Sequence, residues 1–124
     1  MSTSERDTDR DWNGVAEEDP FLGVLSKDEF RKEVMTADEL KHFMASGEKF
    51  VDDIFGCVRK YLFSDFAPIR GLDVGCGVGR LAIPLAKKVK EAVGVDIAPA
   101  MFQLCAMHAK LAGVDNLVLF ESDD

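Results

Sequence analysis

Long apolar runs are missing from this 124-residue sequence. No stretch approaches the about 18 apolar residues that a membrane span requires. The opening MSTSERDTDRD also lacks the basic and apolar regions of a secretory leader. The expectation is a cytoplasmic protein with no membrane contact. Cysteine is scarce: Cys57, Cys76 and Cys105 are odd in number and too far apart to pair as metal ligands, which argues for reduced thiols rather than a disulfide framework. Histidine is scarcer still, since His42 and His108 have no second His at ligand spacing. Both are read as packing residues, and no metal site is expected. Positive charge is also short, with 15 Lys and Arg against 23 Asp and Glu and a net charge of −8. Neutralising phosphate needs clustered Lys and Arg, so this balance argues against a nucleic-acid partner.

What is present is one domain's worth of chain with the composition of an ordinary globular protein, 47% hydrophobic and 31% charged. The acid is unevenly placed: residues 1–20 hold seven acidic side chains against two basic ones, which reads as an acidic, largely disordered tail. Residues 21–67 read as a helical segment and residues 68–124 as an α/β unit. Trp12 and the EEDPF stretch at 17–21 read as a surface arm.

Capping boxes open the helical segment. Ser26 with Glu29, and Thr36 with Glu39, each place a hydroxyl three residues before a glutamate, predicting helices over about 27–35 and 37–45. Phe50, Val51, Ile54, Phe55, Val58, Tyr61 and Leu62 then recur at three-and-four spacing, one apolar stripe along a further helix. Beyond Pro68 the pattern alternates. IRGLDV reads as a buried strand, followed by a helix over about 79–88, a strand at 91–96, a helix over about 99–112 and a strand at 117–120. Strand, helix, strand, helix, strand implies a parallel sheet. Pro99 suits the first turn of the last helix and Gly113 its C-terminal cap. Pro84 falls inside the preceding helix, which it should bend or tighten.

LDVGCGVGR, residues 72–80, joins the first strand to its helix, the place where open parallel sheets bind ligands. Gly75, Gly77 and Gly79 let the backbone turn sharply and approach a ligand. Asp96 ends the next strand 21 residues after Gly75, placed to accept hydrogen bonds from ribose hydroxyls. The loop departs from the dinucleotide pattern G-x-G-x-x-G: its third glycine comes early at Gly79, and Arg80 fills the position where that glycine belongs. Asp73 would meet a pyrophosphate with like charge, whereas it suits a cationic ligand. Met101, Leu104, Cys105, Met107 and Leu111 read chiefly as helix core, and Cys76 fills a loop position that demands a small side chain. An NAD-dependent oxidoreductase module and a non-catalytic nucleoside-binding fragment are the alternatives.

D-x-G-x-G-x-G at Asp73 to Gly79, followed by VGVDIAPAM, resembles the cofactor-binding half of the class I S-adenosylmethionine-dependent methyltransferases, over about residues 69–124. DWNGVAEEDPFLGVLS and FMASGEKFVDD are similar to the segment preceding the fold in some small-molecule members of that class. The resemblance implies S-adenosyl-L-methionine as cofactor and methyl transfer to a small-molecule acceptor. Gly75, Cys76, Gly77 and Gly79 would pass under the amino-acid part of the cofactor, and Asp73 would lie near its ammonium. Asp96 would bind the ribose diol, with Ile97 and Met101 packing on the adenine. Asp123 would reach the adenine amino group, although Ser122 stands where the family more often has glycine. Catalytic residues stay unknown.

The fold so implied is a three-layer α/β sandwich around a Rossmann-like parallel sheet of seven strands in the order 3-2-1-4-5-7-6. This sequence holds its first half, about three strands preceded by N-terminal helices, and reads as a truncated or partial chain. Strand 1 would then present an open apolar edge through which the chain could self-associate.

Overall fold

A computed structural model describes residues 36–122. The tail at 1–20, the Trp12 arm, the helix over 27–35 and Asp123 lie outside the described residues. Helix α1 (Ala37–Tyr61) runs for 25 residues. Its start is the expected capping box: the Glu39 amide donates to the Thr36 hydroxyl at 3.2 Å, and the Thr36 amide donates to the Glu39 carboxylate at 2.6 Å. Asp38 and Glu39 in the first turn and Arg59 and Lys60 in the last complement the helix dipole.

The helix expected over about 37–45 and the further helix carrying the stripe from Phe50 to Leu62 are this one helix. Ser46 and Gly47 weaken helix propensity locally, but tertiary contact overrides the weakness, because Gly47 is where α1 touches the rest of the molecule. The buried stripe is also narrower than the sequence pattern suggests. Phe43, Gly47, Val51 and Phe55 are buried at four-residue spacing, whereas Phe50, Ile54, Tyr61 and Leu62 are exposed.

Three parallel strands follow, β1 (Arg70–Val74), β2 (Glu91–Asp96) and β3 (Leu117–Glu121), in the spatial order β1-β2-β3. Helix α2 (Ala82–Ala86) crosses from β1 to β2, and helix α3 (Pro99–Leu111) from β2 to β3. This is the expected Rossmann-like half-fold. The register aligns Gly71, Ala92 and Leu117 on one face and Leu72, Val93 and Val118 on the other. The first face is the better covered. On the second, Leu72 and Val74 are 62% and 75% exposed, and among the described residues β1 pairs only with β2.

Helix α2 has five residues, fewer than the sequence suggested. Pro84 brings no N–H to the ladder, and Lys88 closes the end with a three-residue bond to Leu85. Helix α3 ends as expected at Gly113, whose φ of 71° lets the Val114 amide reach the Ala109 carbonyl at 2.9 Å. Asn116 fastens the opposite end of the sheet, its side-chain amide donating to the Ala86 and Val89 carbonyls at 2.8 and 2.9 Å. The core beneath the first loop joins Phe43 of α1 to Val78, Ala98 and Met101. Among the described residues no helix is long and apolar enough to cross a membrane.

Candidate functional site

The chain leaves β1 at Val74 and enters α2 only at Ala82. Between them Gly75, Gly77 and Gly79 hold φ of 77°, 52° and 94°, a region costly for any side chain. The loop therefore folds back across the end of β2. The Gly75 and Cys76 amides both donate to the Val95 carbonyl, at 2.7 and 3.0 Å. At Gly79 a Cβ would also crowd Ile83 and Cys105.

Asp96 stands at the end of β2 and holds the loop directly. Its Oδ2 accepts from the Gly77 amide at 2.8 Å, and its Oδ1 accepts from the Ala98 amide at 2.9 Å. A carboxylate has about four lone-pair sites, so acceptor capacity remains for a ligand. Asp73, near the end of β1, has its carboxyl held above the usual carboxylate range by burial and then by the charge of Asp96. Two acids thus converge on one loop, and Asp73 titrates as a carboxyl short of positive charge. A cation seated beside it would relieve that shortage.

The sequence-derived residues are largely brought together. Asp73, Gly75, Cys76, Gly77, Gly79, Asp96 and Ile97 all gather at the carboxyl ends of β1 and β2. Met101 does not join them at the surface: it is 4% exposed and packs with Phe43, Val78 and Ala98 beneath the loop. Cys76 is buried and hydrogen-bonds with Cys105 of α3, a bond that together with burial pushes the Cys76 thiol up. Asp123 falls outside the described residues.

Three contacts were not legible in the motif. Arg80 donates through Nε to the Ser46 hydroxyl at 3.0 Å and sets its guanidinium 5.9 Å from the Phe50 ring centroid, tying the loop to α1. Burial lowers the Arg80 pKa. Cys105 meets Cys76, and the His108 ring meets the Val78 carbonyl. Each partner lies roughly thirty residues away in sequence, where periodicity carries no signal. Among the described residues no three His, Cys, Asp or Glu side chains are grouped to hold a metal.

A glycine loop after β1 and an acid after β2 stand at the carboxyl edge of a parallel sheet, the place where open α/β sheets bind their ligands. A family model described as a methyltransferase domain matches residues 72–124. A 54-residue stretch is 39% identical to the 23S rRNA (uracil(1939)-C(5))-methyltransferase RlmD of Shewanella piezotolerans, covering 44% of this chain and 12% of that enzyme. Among solved structures, a phosphoethanolamine N-methyltransferase of Haemonchus contortus aligns at a TM-score of 0.62 over 98% of this chain and 22% of its own, at 14% identity. An S-adenosylmethionine-dependent methyltransferase of Clostridium acetobutylicum aligns at 0.52 over 60% and 29%, at 23% identity. Residues 72–124 match that methyltransferase-domain model, and the fold is similar to the cofactor-binding part of the class I S-adenosylmethionine-dependent methyltransferases.

One expectation is overturned. The net charge of −8 argued against nucleic acid, yet the curated relatives that match here are named as RNA methyltransferases. Charge that meets phosphate can lie anywhere along a longer protein, and the match covers 12% of the relative's length. The acidity of this segment is therefore no ground for excluding RNA.

Proposed function

We propose that this chain binds S-adenosyl-L-methionine through the loop at 75–81 and serves as the cofactor half of a methyltransferase. The observation that carries the reading is the pair Asp73 and Asp96 on either side of a glycine backbone that no side chain obstructs at Gly75. Such a cradle suits a zwitterionic nucleoside better than a polyanion. A pyrophosphate would face two carboxylates, whereas an ammonium is drawn to them.

In this reading the backbone of Gly75, Cys76, Gly77 and Gly79 passes under the amino-acid part of the cofactor, and Asp73 faces its ammonium. Asp96 keeps one set of lone pairs on the loop and offers the rest to the ribose diol. Ile97 lies against the adenine, with Met101 supporting it from below, and Asp123 reaches toward the adenine amino group. When bound, S-adenosylmethionine supplies a methyl group activated by its sulfonium. The loop's task is to orient it, which in a single in-line displacement is a large share of catalysis.

The acceptor is a separate matter, because the shared segment is the cofactor half. We take RNA as the acceptor to test first, on the strength of the curated relatives. Thermal shift of the purified chain with S-adenosylmethionine, S-adenosylhomocysteine and NAD tests the cofactor. The first two should raise the melting temperature and NAD should not; the reverse would return the oxidoreductase reading. Methyl-labelled S-adenosylmethionine incubated with cell extract and a longer form of the protein then tests the acceptor. Label in the RNA fraction supports RNA, and label confined to low-molecular-weight material overturns it.

A further inference from the structure

His108 lies in α3, buried, with Nδ1 at 3.1 Å from the carbonyl oxygen of Val78. A carbonyl only accepts, so Nδ1 bears the proton and donates. Val78 sits between Gly77 and Gly79, and its side chain is fully buried against Phe43, Ala98 and Met101. Side chains from two successive elements therefore hold the loop backbone. Asp96 of β2 takes the Gly77 N–H, and His108 of α3 takes the Val78 carbonyl.

Gly77 and Gly79 flank Val78 at φ of 52° and 94°, and the chain enters α2 only at Ala82, so this stretch of backbone lies outside any helix. Take away the imidazole and a buried acceptor loses its partner, which costs more than an exposed one would. We infer that His108 is a positioning residue for the cofactor loop, holding the Val78 carbonyl so that the backbone between Gly77 and Gly79 keeps its shape. Its effect on cofactor affinity rests on the S-adenosylmethionine reading, whereas its effect on the loop does not.

The full chain with H108N, H108Q and H108L tests this. Asparagine places an N–H as many bonds from the backbone as Nδ1, glutamine places it one bond further, and leucine offers none. S-adenosylmethionine affinity is measured by calorimetry, and amide hydrogen exchange over residues 75–82 is measured without ligand. H108N should keep the parent affinity within about threefold, whereas H108L and H108Q should lose about tenfold, the effect of one unmade buried hydrogen bond. Exchange over the loop should quicken in H108L and H108Q and not in H108N. Parent affinity and exchange in H108L would overturn the inference, as would H108N behaving like H108L, or losses that merely follow melting temperature. Should H108L fail to fold, the H108N and H108Q comparison decides in the same way. If the parent does not bind S-adenosylmethionine, the proposed cofactor falls, and the exchange comparison alone still decides for or against His108.

Discussion

Gly47, in the middle of α1, lies so close to Arg80 in the glycine loop that a Cβ on the glycine would collide with the arginine carbonyl oxygen. Beside it the Arg80 guanidinium donates to Ser46 and stacks toward Phe50. The residue that breaks the dinucleotide pattern is therefore the one that seats the long helix on the loop. The absent third glycine of that pattern serves close helix-to-strand packing; here close packing is supplied from the other partner, by Gly47.

That contact yields a paired prediction. Alanine at Gly47 gains up to about 1 kcal/mol of helix propensity but meets backbone that cannot give way, a cost of about 1 to 3 kcal/mol. Gly47→Ala should thus be net destabilising. Gly56 lies in the same helix, exposed, with open space around it. Gly56→Ala should stabilise by about 0.5 to 1 kcal/mol. Chemical denaturation of both variants checks the pair, and a stabilised Gly47→Ala would mean that α1 does not sit on the loop in solution.

Where the sequence was legible, it was so for local reasons. The Thr36 cap, the three strands, Gly113 and the loop glycines each leave a signature within four residues, since each satisfies backbone groups close by. The merging of two helices into α1 was not legible, because it depends on a contact at Arg80 33 positions after Gly47. The dual use of Asp96 was half legible. Its place at the end of β2 followed from the pattern, but its bond to Gly77 arises only once the loop folds back over the sheet.

Asp96 invites a second test. Both its oxygens accept backbone N–H groups, at 2.8 and 2.9 Å. Asp96→Ala should lower S-adenosylmethionine affinity by about 1 to 3 kcal/mol. Asp96→Asn should be nearly as damaging, because its amide turns a donor toward a donor. Calorimetry decides; an asparagine variant with parent affinity would show that neither charge nor a second acceptor is needed.

The thiols offer a probe of the loop that needs no ligand. Cys57 is exposed, whereas Cys76 and Cys105 are buried and hydrogen-bonded to each other, and burial with two nearby carboxylates further hinders formation of the Cys76 thiolate, the reactive form. In native protein, iodoacetamide should modify Cys57 alone, and after unfolding all three cysteines of the chain should react. Mass spectrometry reads the difference. Rapid native labelling of Cys76 would mean that the loop opens far more often than its hydrogen bonds suggest.

Asp73 gives the last prediction, in pH. Burial, and then the charge of Asp96, raise its folded-state pKa above the ordinary 3.8. Between the ordinary and the raised values the folded chain binds a proton that the unfolded chain has released, so stability falls as pH rises through that window. Asp73→Asn cannot titrate, yet it keeps nearly the size and shape of the parent side chain. Relative to Asp73→Asn, the parent should therefore be most stable near about pH 4 and lose ground toward pH 7, a difference that urea unfolding across the series would measure. The opposite slope would mean that Asp73 finds a cation within the ligand-free fold, and its proposed part in receiving the cofactor's ammonium would go with it. The expected slope would show that the site keeps an acid short of positive charge until something cationic arrives.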